Sequence, residues 1–387
     1  MRDAILKHIL IVGGGIGGLC TAVMLQNHGY HVQIFESSSS VKPVGAGLGV
    51  GSNALQALYE AGVGKQIEEK GNALHKMVFQ NDRGDLLNKM DFTVLAKEFR
   101  LNSLTIHRAD LHAILYQAIA PGTIQFNKKC VDFEQNNKGA KVFFGDGSSA
   151  EGDLVIAADG IHSIFRKNLT ANRAPRYAGY TCWRGVVEVS EKQFNQHTSY
   201  ELWGKDGRIG IVPLQHNRIY WFACVNTKKN DPLYRNLKPT DVPRIFADFP
   251  PHVTQLISST NEAELLHHDI ADIKPLDQFV YGRIVLLGDA AHATTPNMGQ
   301  GAGQAMEDGI VFVRCLNKTN NIQEAFTCYE RKRVKRTKKI INLSRQIGVG
   351  AQIENSFIII IRNNLFRLVP SSILLKRFRF LLDVDLD

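Results

Sequence analysis

The chain has 387 residues, of which 44% are hydrophobic and 21% charged, and its formal net charge is +9. This length predicts two domains or one large discontinuous domain, and the apolar content excludes a disordered chain. Six scattered cysteines without a Cys-x-x-Cys pair favour a reducing compartment over a disulfide framework or a zinc site. The first apolar run breaks into glycines too early for a signal peptide, so we expect a cytoplasmic protein.

The positive charge predicts attraction to anions, which include nucleic acid, an anionic membrane and anionic cofactors. Much of the excess lies in "RKRVKRTKK" (331–339), within a helical pattern that is typical of a solvated helix face. No aromatic residues accompany these charges, and the pattern therefore does not favour nucleic-acid binding.

The segment "HILIVGGGIGGLCTAVMLQNHGYHVQIFE" (8–36) predicts a buried strand, a tight turn, a helix and a second strand. Its Gly-x-Gly-x-x-Gly pattern has a physical reason at each position. Gly13 permits the turn, Gly15 lets the backbone approach a pyrophosphate, and Gly18 lets helix and strand pack closely. Glu36 ends the second strand, where it can accept hydrogen bonds from a ribose and would repel a 2′-phosphate. The tightly held nucleotide should therefore be FAD or NAD.

The later motifs differ from the repeated strand–helix units of an ordinary NAD dehydrogenase. A glycine-rich crossover, "VKPVGAGLGVGSNALQALYEAGV" (41–63), is followed by a helix. The segment "GAKVFFGDGSSAEGDLVIAADGIHSIFR" (139–166) predicts a hairpin that turns at "GDG" and a strand that ends at Asp159-Gly160. The segment "GRIVLLGDAAHATTPNMGQGAGQAMED" (282–308) predicts a buried strand, a turn and a helix.

In this order and at this spacing, the three motifs resemble those of the single-component flavoprotein monooxygenases of the aromatic hydroxylase class, over nearly the whole chain. "RYAGYTCWRGVVE" (176–188) and "RNNLFRLVPSSILL" (362–375) resemble the branch of urate hydroxylase and zeaxanthin epoxidase. The resemblance implies an α/β fold with an α+β insert: a Rossmann-like FAD-binding domain, an inserted antiparallel-sheet substrate domain and C-terminal helices, similar to para-hydroxybenzoate hydroxylase. We predict an FAD-binding domain of residues 1–73, 98–175 and 276–350, a substrate domain of 74–97 and 176–275, and C-terminal amphipathic helices in 351–387.

The resemblance also implies the flavin contacts. Asp289 would hold a ribityl hydroxyl, Pro296 would stiffen the loop beside the ring, and Arg108 would contact the cofactor. A helix that starts within 299–303 would point its N–H groups at the flavin pyrimidine edge and stabilise the reduced, anionic flavin. A simple β–α turn with an N-capping Asp289 is the alternative. The other FAD contacts implied are Gly17, Gly49, Val131, Asp159, Gly299, Gln300, Gly301, Ala302 and Gly303.

The alternating pattern of residues 176–225 predicts an antiparallel sheet, joined by short strands near 74–91, that roofs the flavin and encloses a dry cavity. In the urate hydroxylases an arginine and a tyrosine twelve residues apart flank the substrate, and Arg208 and Tyr220 match both. Arg184 stands where those relatives carry asparagine, so a phenol, a quinolone or a polyene remains open beside an oxo-purine. A half-buried sheet tyrosine is the alternative role for Tyr220.

Two histidine sites are assigned structural roles. The adjacent His267 and His268 would point to opposite faces of a strand, so they make a poor chelate, and we predict no metal site. His292 is predicted to pack and to form hydrogen bonds.

The C-terminal segment "FIIIIRNNLFRLVPSSILLKRFRFLL" (357–382) is apolar, but basic residues interrupt it and it cannot span a bilayer comfortably. We predict two short amphipathic helices, split at Pro370 and packed on the body of the protein. Weak contact with a membrane surface is the alternative.

The resemblance implies an FAD-dependent monooxygenase that uses NAD(P)H and O₂. It would hydroxylate or epoxidise a small electron-rich aromatic or heterocyclic substrate through a C4a-hydroperoxyflavin. The alternatives are a reductase or desaturase of the same fold, a tetracycline-type antibiotic-inactivating monooxygenase, and a nucleotide-binding carrier without chemistry. We expect a monomer or homodimer.

Overall fold

The apolar run at the start of the predicted nucleotide motif forms a central strand of a parallel sheet. The computed structural model describes residues 8–40, 46–171, 174–190 and 193–384, and the first part of the glycine-rich crossover, 41–45, lies outside them. The strands are β1 (His8–Val12), β2 (His31–Phe35), β3 (Gly47–Val50), β4 (Asn72–Ala73), β5 (Lys76–Asn81), β6 (Leu86–Asp91), β7 (Leu104–His107), β8 (Ile124–Gln125), β9 (Cys130–Gln135), β10 (Ala140–Phe144), β11 (Ser149–Gly152), β12 (Leu154–Ala157), β13 (Arg176–Glu188), β14 (Thr198–Gly204), β15 (Gly207–Pro213), β16 (Arg218–Asn226), β17 (Leu266–Asp272), β18 (Val280–Tyr281) and β19 (Ile284–Leu286).

Helices cover the sheets and form the C-terminal part of the chain. The α-helices are α1 (Ile16–Asn27), α2 (Ser52–Glu60), α3 (Gly64–Lys70), α4 (Thr93–Phe99), α5 (Arg108–Gln117), α6 (Ile164–Leu169), α7 (Pro232–Arg235), α8 (Pro251–Ser258), α9 (Asp289–His292), α10 (Gly301–Lys318), α11 (Ile322–Ala351), α12 (Ser356–Leu368) and α13 (Ser371–Leu382). Short 3₁₀ helices lie at Val242–Phe246, Glu262–Glu264 and Pro296–Met298.

The first sheet has the order β18-β19-β12-β1-β2-β8. Strand β1 pairs in parallel with β2 and with β12, and β12 pairs in parallel with β19, whereas β18 is antiparallel. The carboxyl ends of these parallel strands therefore meet at one edge, which is where open α/β sheets bind ligands. Gly13, Glu36, Ala158 and Gly288 lie within two residues of the ends of β1, β2, β12 and β19, four of the parallel strands, at that edge.

Helix α1 lies between this sheet and α10, and it is buried over most of its length. A Cβ added at Gly17 would lie 2.8 Å from the Cβ of Ala305, so Gly17 lets α1 and α10 approach closely. This glycine, predicted as a cofactor contact, therefore also has a packing role.

The second large sheet has the order β17-β13-β16-β15-β14-β5-β6 and is antiparallel except for the parallel pair β14–β5. Its two faces have different environments, as strand periodicity requires. Trp183 and Trp221 belong to the core that this sheet forms with α8 and the 3₁₀ helix 242–246. Arg184 and Tyr220, one position away on the same strands, line a cavity on the other face. The predicted fold, with a Rossmann-like part and an inserted sheet, is confirmed; the domain boundaries stay a prediction.

The C-terminal helices are separated at Val369 and Pro370, as the sequence indicates. Among the described residues no single helix is long and apolar enough to cross a bilayer. Helices α12 and α13 reach that length and composition only together, and they meet at 88°.

Candidate active site

Two cavities lie at the carboxyl edge of the parallel sheet, and Gly15 and Arg108 line both of them. The smaller, about 240 Å³, lies between the β1–α1 turn, Glu36 and the first turns of α5. The larger, about 510 Å³, lies between the start of α10, strand β3 and the inner face of the seven-stranded sheet. The two cavities thus meet at the N-terminus of α1, where an anionic group is favoured. This arrangement suits a long ligand with a central anion.

The glycines of the β1–α1 turn have two different roles. Gly13 has φ +111°, and a Cβ there would lie 2.3 Å from the oxygen of Ala158. A Cβ at Gly18 would lie 2.1 Å from the oxygen of Gly13. No described atom lies within 4 Å of a Cβ added at Gly15, which faces the cavities. The first and last glycines are therefore required by the fold, and Gly15 leaves space for a ligand.

Glu36 lies in the smaller cavity, where sequence analysis predicts the ribose. Its carboxylate accepts hydrogen bonds from the N–H of Gly14 (2.7 Å) and from the N–H and hydroxyl of Ser38 (2.8 and 2.6 Å). Burial raises the pKa of Glu36, but these hydrogen bonds outweigh it and the pKa lies below its ordinary value. Glu36 is therefore a charged acceptor at the edge of this cavity.

Arg108 and Asp289 form the charged part of the larger cavity near the shared turn. Burial lowers the pKa of Arg108, with Arg184 acting in the same direction and Asp289 opposing them. The side chain of Asp289 is open to the cavity but enclosed by protein on its other sides. This burial raises its pKa, while His292 and Arg108 act to lower it. A carboxylate in this setting requires hydrogen-bond donors.

Two further polar groups nearby are buried without a partner among the described residues. The Oδ1 atom of Asp159 is one of them, while its Oδ2 atom accepts a hydrogen bond from the N–H of Ile164 at 2.9 Å. Burial raises the pKa of Asp159. The hydroxyl of Thr294, a residue that sequence analysis did not select, is the second and lines the larger cavity. Orphaned buried polar groups of this kind call for a ligand or water.

Helix α10 begins at Gly301, within the predicted segment, and Gly299 before it has φ +62°. No described atom lies within 4 Å of a Cβ added at Gly299 or Gly301, and both line the larger cavity. Gly303 differs: its added Cβ would lie 3.4 to 3.7 Å from Gln300, Asn53 and Ala54. The first two glycines therefore leave space at a helix N-terminus, and the third packs against α2.

A buried ion cluster lies directly beneath the Gly288-Asp289 turn. Arg333 donates to Asp308 Oδ1 at 2.6 Å and also pairs with Glu307. The second oxygen of Asp308 accepts hydrogen bonds from the N–H of Gly288 at 2.8 Å and from His292 at 2.5 Å. His292 thus packs and forms hydrogen bonds as predicted. The cluster fixes the turn that presents Asp289.

Arg208 lies in the larger cavity wall and is almost completely buried. It donates to Glu201 Oε1 at 3.0 Å and also to Asn297 Oδ1, and its guanidinium lies 5.7 Å from the ring centroids of Tyr180 and of Phe222. Burial acts to lower the pKa of Arg208, but Cys224 and Glu201 outweigh it and the pKa is raised. The guanidinium is therefore held as a fixed, charged part of the wall.

Tyr220 lines the same cavity next to Arg184. Burial raises the pKa of Tyr220, while a hydrogen bond from Arg184 acts against this. Arg184 also lies 3.1 Å from Nδ1 of His268, and its Nε atom is buried without a partner among the described residues. A Cβ at Gly47 would lie 2.6 Å from the Tyr220 ring, so this glycine makes room for the tyrosine.

His267, the neighbour of His268 on β17, stacks on Trp183 on the opposite face of the sheet, as predicted for adjacent strand residues.

The structure brings most of the predicted site residues together. Those that line the larger cavity are Gly15, Gly17, Gly18, Gly49, Arg108, Arg208, Tyr220, Asp289, Pro296, Gly299, Gln300, Gly301 and Ala302. Glu36 lines the smaller one. Gly13, Val131, Asp159 and Gly303 line neither cavity. Gly49, predicted in a loop, lies in strand β3, and Val131 lies on β9 with 46% of its surface exposed.

Sequence analysis missed Glu201 and Asn297. Asn297 follows Pro296 inside a selected motif, and its Oδ1 atom accepts from both Tyr180 (3.0 Å) and Arg208. Glu201 could have been found from the hairpin "ELWGKDGRI", because its tight turn places residues 201 and 208 on one face of adjacent strands.

Comparisons with known proteins agree with this geometry. Residues 7–344 match the family described as FAD binding domain. The aurachin C monooxygenase/isomerase of Stigmatella aurantiaca is 36% identical over 363 residues, 94% of each chain. The FAD-dependent urate hydroxylase of Klebsiella oxytoca is 33% identical over 341 residues, 87% of this chain and 88% of that protein. The crystal structure of Klebsiella pneumoniae HpxO with FAD and uric acid superposes with a TM-score of 0.92 at 28% identity, covering 100% of this chain and 99% of that one.

Proposed function

The chain belongs to the FAD-binding-domain family of flavoprotein monooxygenases, and on this premise we propose that it uses NAD(P)H and O₂ to oxygenate an electron-rich aromatic or heterocyclic ring. FAD is its cofactor, and it is an oxidoreductase. Relatives named as hydroxylases and monooxygenases do not favour the reductase, desaturase or carrier alternatives.

The residues present fit FAD. The space at Gly15 between the two cavities suits a pyrophosphate, and Arg108, which lines both cavities, would supply its counter-charge. Glu36 would accept from the ribose in the smaller cavity. Asp289 and the orphaned hydroxyl of Thr294 would meet polar groups of the flavin half of the cofactor in the larger one.

The observation that carries the proposal is that one cavity contains both the start of α10 and the polar wall of the sheet. Gly299 and Gly301 lie on one side, and Arg208 and Tyr220 lie on the other. A volume of about 510 Å³ lies within the usual range for small-ligand sites. A ring held against the sheet would therefore face the flavin across a shared space.

The protein would contribute orientation, charge and exclusion of water. Bound FAD supplies the chemistry of accepting a hydride and activating O₂. The N-terminus of the 18-residue helix α10 favours negative charge at the cavity, an effect of about 0.3–1 kcal/mol. Tyr220 and Arg184 would hold an oxygen substituent of the substrate ring, and the fixed Arg208 would keep the wall polar at that end.

We infer that NAD(P)H docks transiently, because the residues of the Gly13–Gly18 turn are assigned to FAD. The formal net charge of +9 supports attraction of this anionic reductant to the protein. We also propose that the enzyme acts in the cytoplasm, as the scattered free cysteines suggest.

The test is to measure oxidation of NADH and of NADPH by the FAD-loaded protein with a panel of quinolones, purines and phenols. We expect at least one compound to stimulate oxidation and to gain one oxygen atom from ¹⁸O₂. Stimulated oxidation without labelled product would contradict oxygenation and support the reductase alternative. Arg208→Gln should bind FAD but form no oxygenated product. The control Arg244→Gln, at an exposed position, should bind FAD and form product as the unmodified protein does.

A further inference from the structure

Helix α12 turns an apolar face outward. Sequence analysis predicts amphipathic C-terminal helices packed on the body, and α12 does pack there through Phe366 and Arg362, but most of its apolar residues face solvent. Apolar residues recur along the solvent side of the helix at the spacing of one helix face, and one more lies on α13. These residues, the C-terminal apolar face, are Phe357, Ile358, Ile360, Ile361, Leu365, Leu368 and Ile373, each between 43% and 77% exposed.

The inner face of α12 fixes this orientation. Phe366 stacks on Trp203 with ring centroids 5.1 Å apart and lies edge-on to Phe79 at 5.3 Å. Arg362 donates to the carbonyl oxygens of Gly350 and Ala351 at 3.2 and 3.3 Å, and its guanidinium lies 5.2 Å from the Trp203 ring. Because these contacts hold one side of α12 against the sheet, the opposite, apolar side must face away from the protein.

The far end of α12 is held as well. The side-chain N–H groups of Asn88 donate to the carbonyl oxygens of Phe366 (2.6 Å) and Val369 (2.9 Å). Exposed contiguous apolar patches of this kind mark interaction sites in soluble proteins. The C-terminal apolar face is therefore held in a fixed orientation and is left uncovered by the described residues.

Between Glu354 and Asp383, the segment that carries this face has an excess of positive charge. Residues 356–382 include five basic residues, Arg362, Arg367, Lys376, Arg377 and Arg379, and no acidic residue. Arg379 pairs with Glu98 at 2.6 Å, whereas Lys376 and Arg377 are exposed. Apolar side chains flanked by cations, on a helix that lies along the surface, match the interface of an anionic bilayer.

The position of the larger cavity also supports a lipid partner for this face. Phe378 and Leu382 of α13 line it, together with Leu74, Met77 and Phe92. This apolar end of the cavity therefore lies behind the helix pair that carries the C-terminal apolar face. A lipid surface at this place would lie close to the apolar end of the cavity.

We propose that the C-terminal apolar face docks the enzyme on an anionic membrane surface. Helix α12 would lie in the plane of the interface with its apolar side chains among the acyl chains, and Lys376 and Arg377 would contact phosphate groups of the lipids. Neither helix spans the bilayer. This inference goes beyond the proposed function and is independent of turnover.

The experiment is co-sedimentation of the FAD-loaded protein with vesicles of mixed phosphatidylglycerol and phosphatidylcholine. We expect binding to these vesicles, weak binding to phosphatidylcholine alone, and a decrease with added salt. Leu368→Asp should lower the partition coefficient about tenfold or more, because it places a charge in the apolar face. Leu233→Asp, the same change at a similarly exposed leucine on α7, should leave binding within about twofold.

A second pair of variants tests the charges. Lys376→Glu with Arg377→Glu should abolish the preference for anionic vesicles, whereas Lys138→Glu with Lys129→Glu on the β9–β10 side should not. No binding to either vesicle, or equal loss in Leu368→Asp and Leu233→Asp, would overturn the proposal. A dimer in lipid-free solution that Leu368→Asp converts to a monomer would also overturn it, because the occupant would then be a second copy of the chain.

Discussion

The guanidinium of Arg208 donates a hydrogen bond to the side-chain oxygen of Asn297, which joins the substrate-side sheet to the loop before α10. Asn297 also accepts from the hydroxyl of Tyr180 at 3.0 Å and donates to the backbone oxygen of Ser344 on α11 at 2.8 Å. Three parts of the fold, the sheet, the loop and α11, thus converge on one amide.

Asn297→Ala should loosen the cavity wall more than it weakens FAD binding. The variant leaves buried donors of Arg208 and Tyr180 without their acceptor, a cost of about 1–3 kcal/mol per group. We expect lower stability in urea and, with substrate present, more NAD(P)H oxidised per product formed. Asn226→Ala is the matched control, because its side chain bonds Gln352 and does not line the cavity. Unchanged coupling in Asn297→Ala would contradict this role.

Glu201→Gln tests the buried ion pair of the wall. The substitution keeps the size of the side chain but leaves the charge of Arg208 unpaired in a buried site, which typically costs about 3–5 kcal/mol. We expect this decrease in the free energy of unfolding, measured by denaturant titration. Glu188→Gln, at an exposed position on β13, should change stability by less than about 0.5 kcal/mol. A small effect at both positions would show that the pair contributes little.

Local patterns explain which parts of the site could be predicted from sequence. The turns around Gly13, Asp159 and Asp289 were found because each follows a short buried strand, and the carboxyl ends of parallel strands meet at one edge. Glu201 and Asn297 were missed because their partner lies on another element. The outward face of α12 was also missed, since a helical pattern shows that one side is apolar but not which side the sheet covers.

Substitutions at Gly13 and Gly15 should separate folding from cofactor binding. In Gly13→Ala a residue with a side chain must adopt φ +111°, and its Cβ lies against a backbone oxygen. We therefore expect the free energy of unfolding of the apoprotein to fall by about 1–3 kcal/mol or more. A Cβ added at Gly15 has no described atom within 4 Å and faces the cavities, so we expect the apoprotein of Gly15→Val to fold normally. Its affinity for FAD, measured by fluorescence titration, should fall about tenfold or more. Normal FAD affinity in Gly15→Val would exclude Gly15 as the pyrophosphate site.

Stability should depend on pH through the histidines of β17. Burial lowers the pKa of His268, and Arg184 and His267 lower it further; burial likewise lowers the pKa of His267. The unfolded chain therefore binds protons more readily than the folded protein, and stability is lost as the pH falls below about 6.5. We expect a lower Tm at about pH 5.5 than at about pH 7.5. His268→Gln, which keeps an acceptor for Arg184, should reduce this difference, and an unchanged difference would contradict the assignment.

Arg333 is the residue for which the basic run "RKRVKRTKK" is most misleading. The pattern of the run predicts a solvated helix face, and Arg331 and Lys335 are indeed exposed. Arg333, however, points inward: it is 1% exposed and pairs with Glu307 and Asp308. Its carboxylate partners lie twenty-five and twenty-six residues earlier, so no local pattern shows the pairing.

Arg333→Met should destabilise the protein by about 3–5 kcal/mol, because the buried carboxylate of Asp308 loses its arginine partner and that of Glu307 keeps only Arg336. It should also lower FAD affinity with Asp289 intact, since Asp308 holds the N–H of Gly288 at the turn that presents Asp289. Thermal unfolding and FAD titration measure the two effects separately. Lys335→Met removes a positive charge from the exposed side of the same helix and should change neither. If Arg333→Met lost stability but bound FAD as tightly as the unmodified protein, the ion cluster would support the fold without positioning the turn.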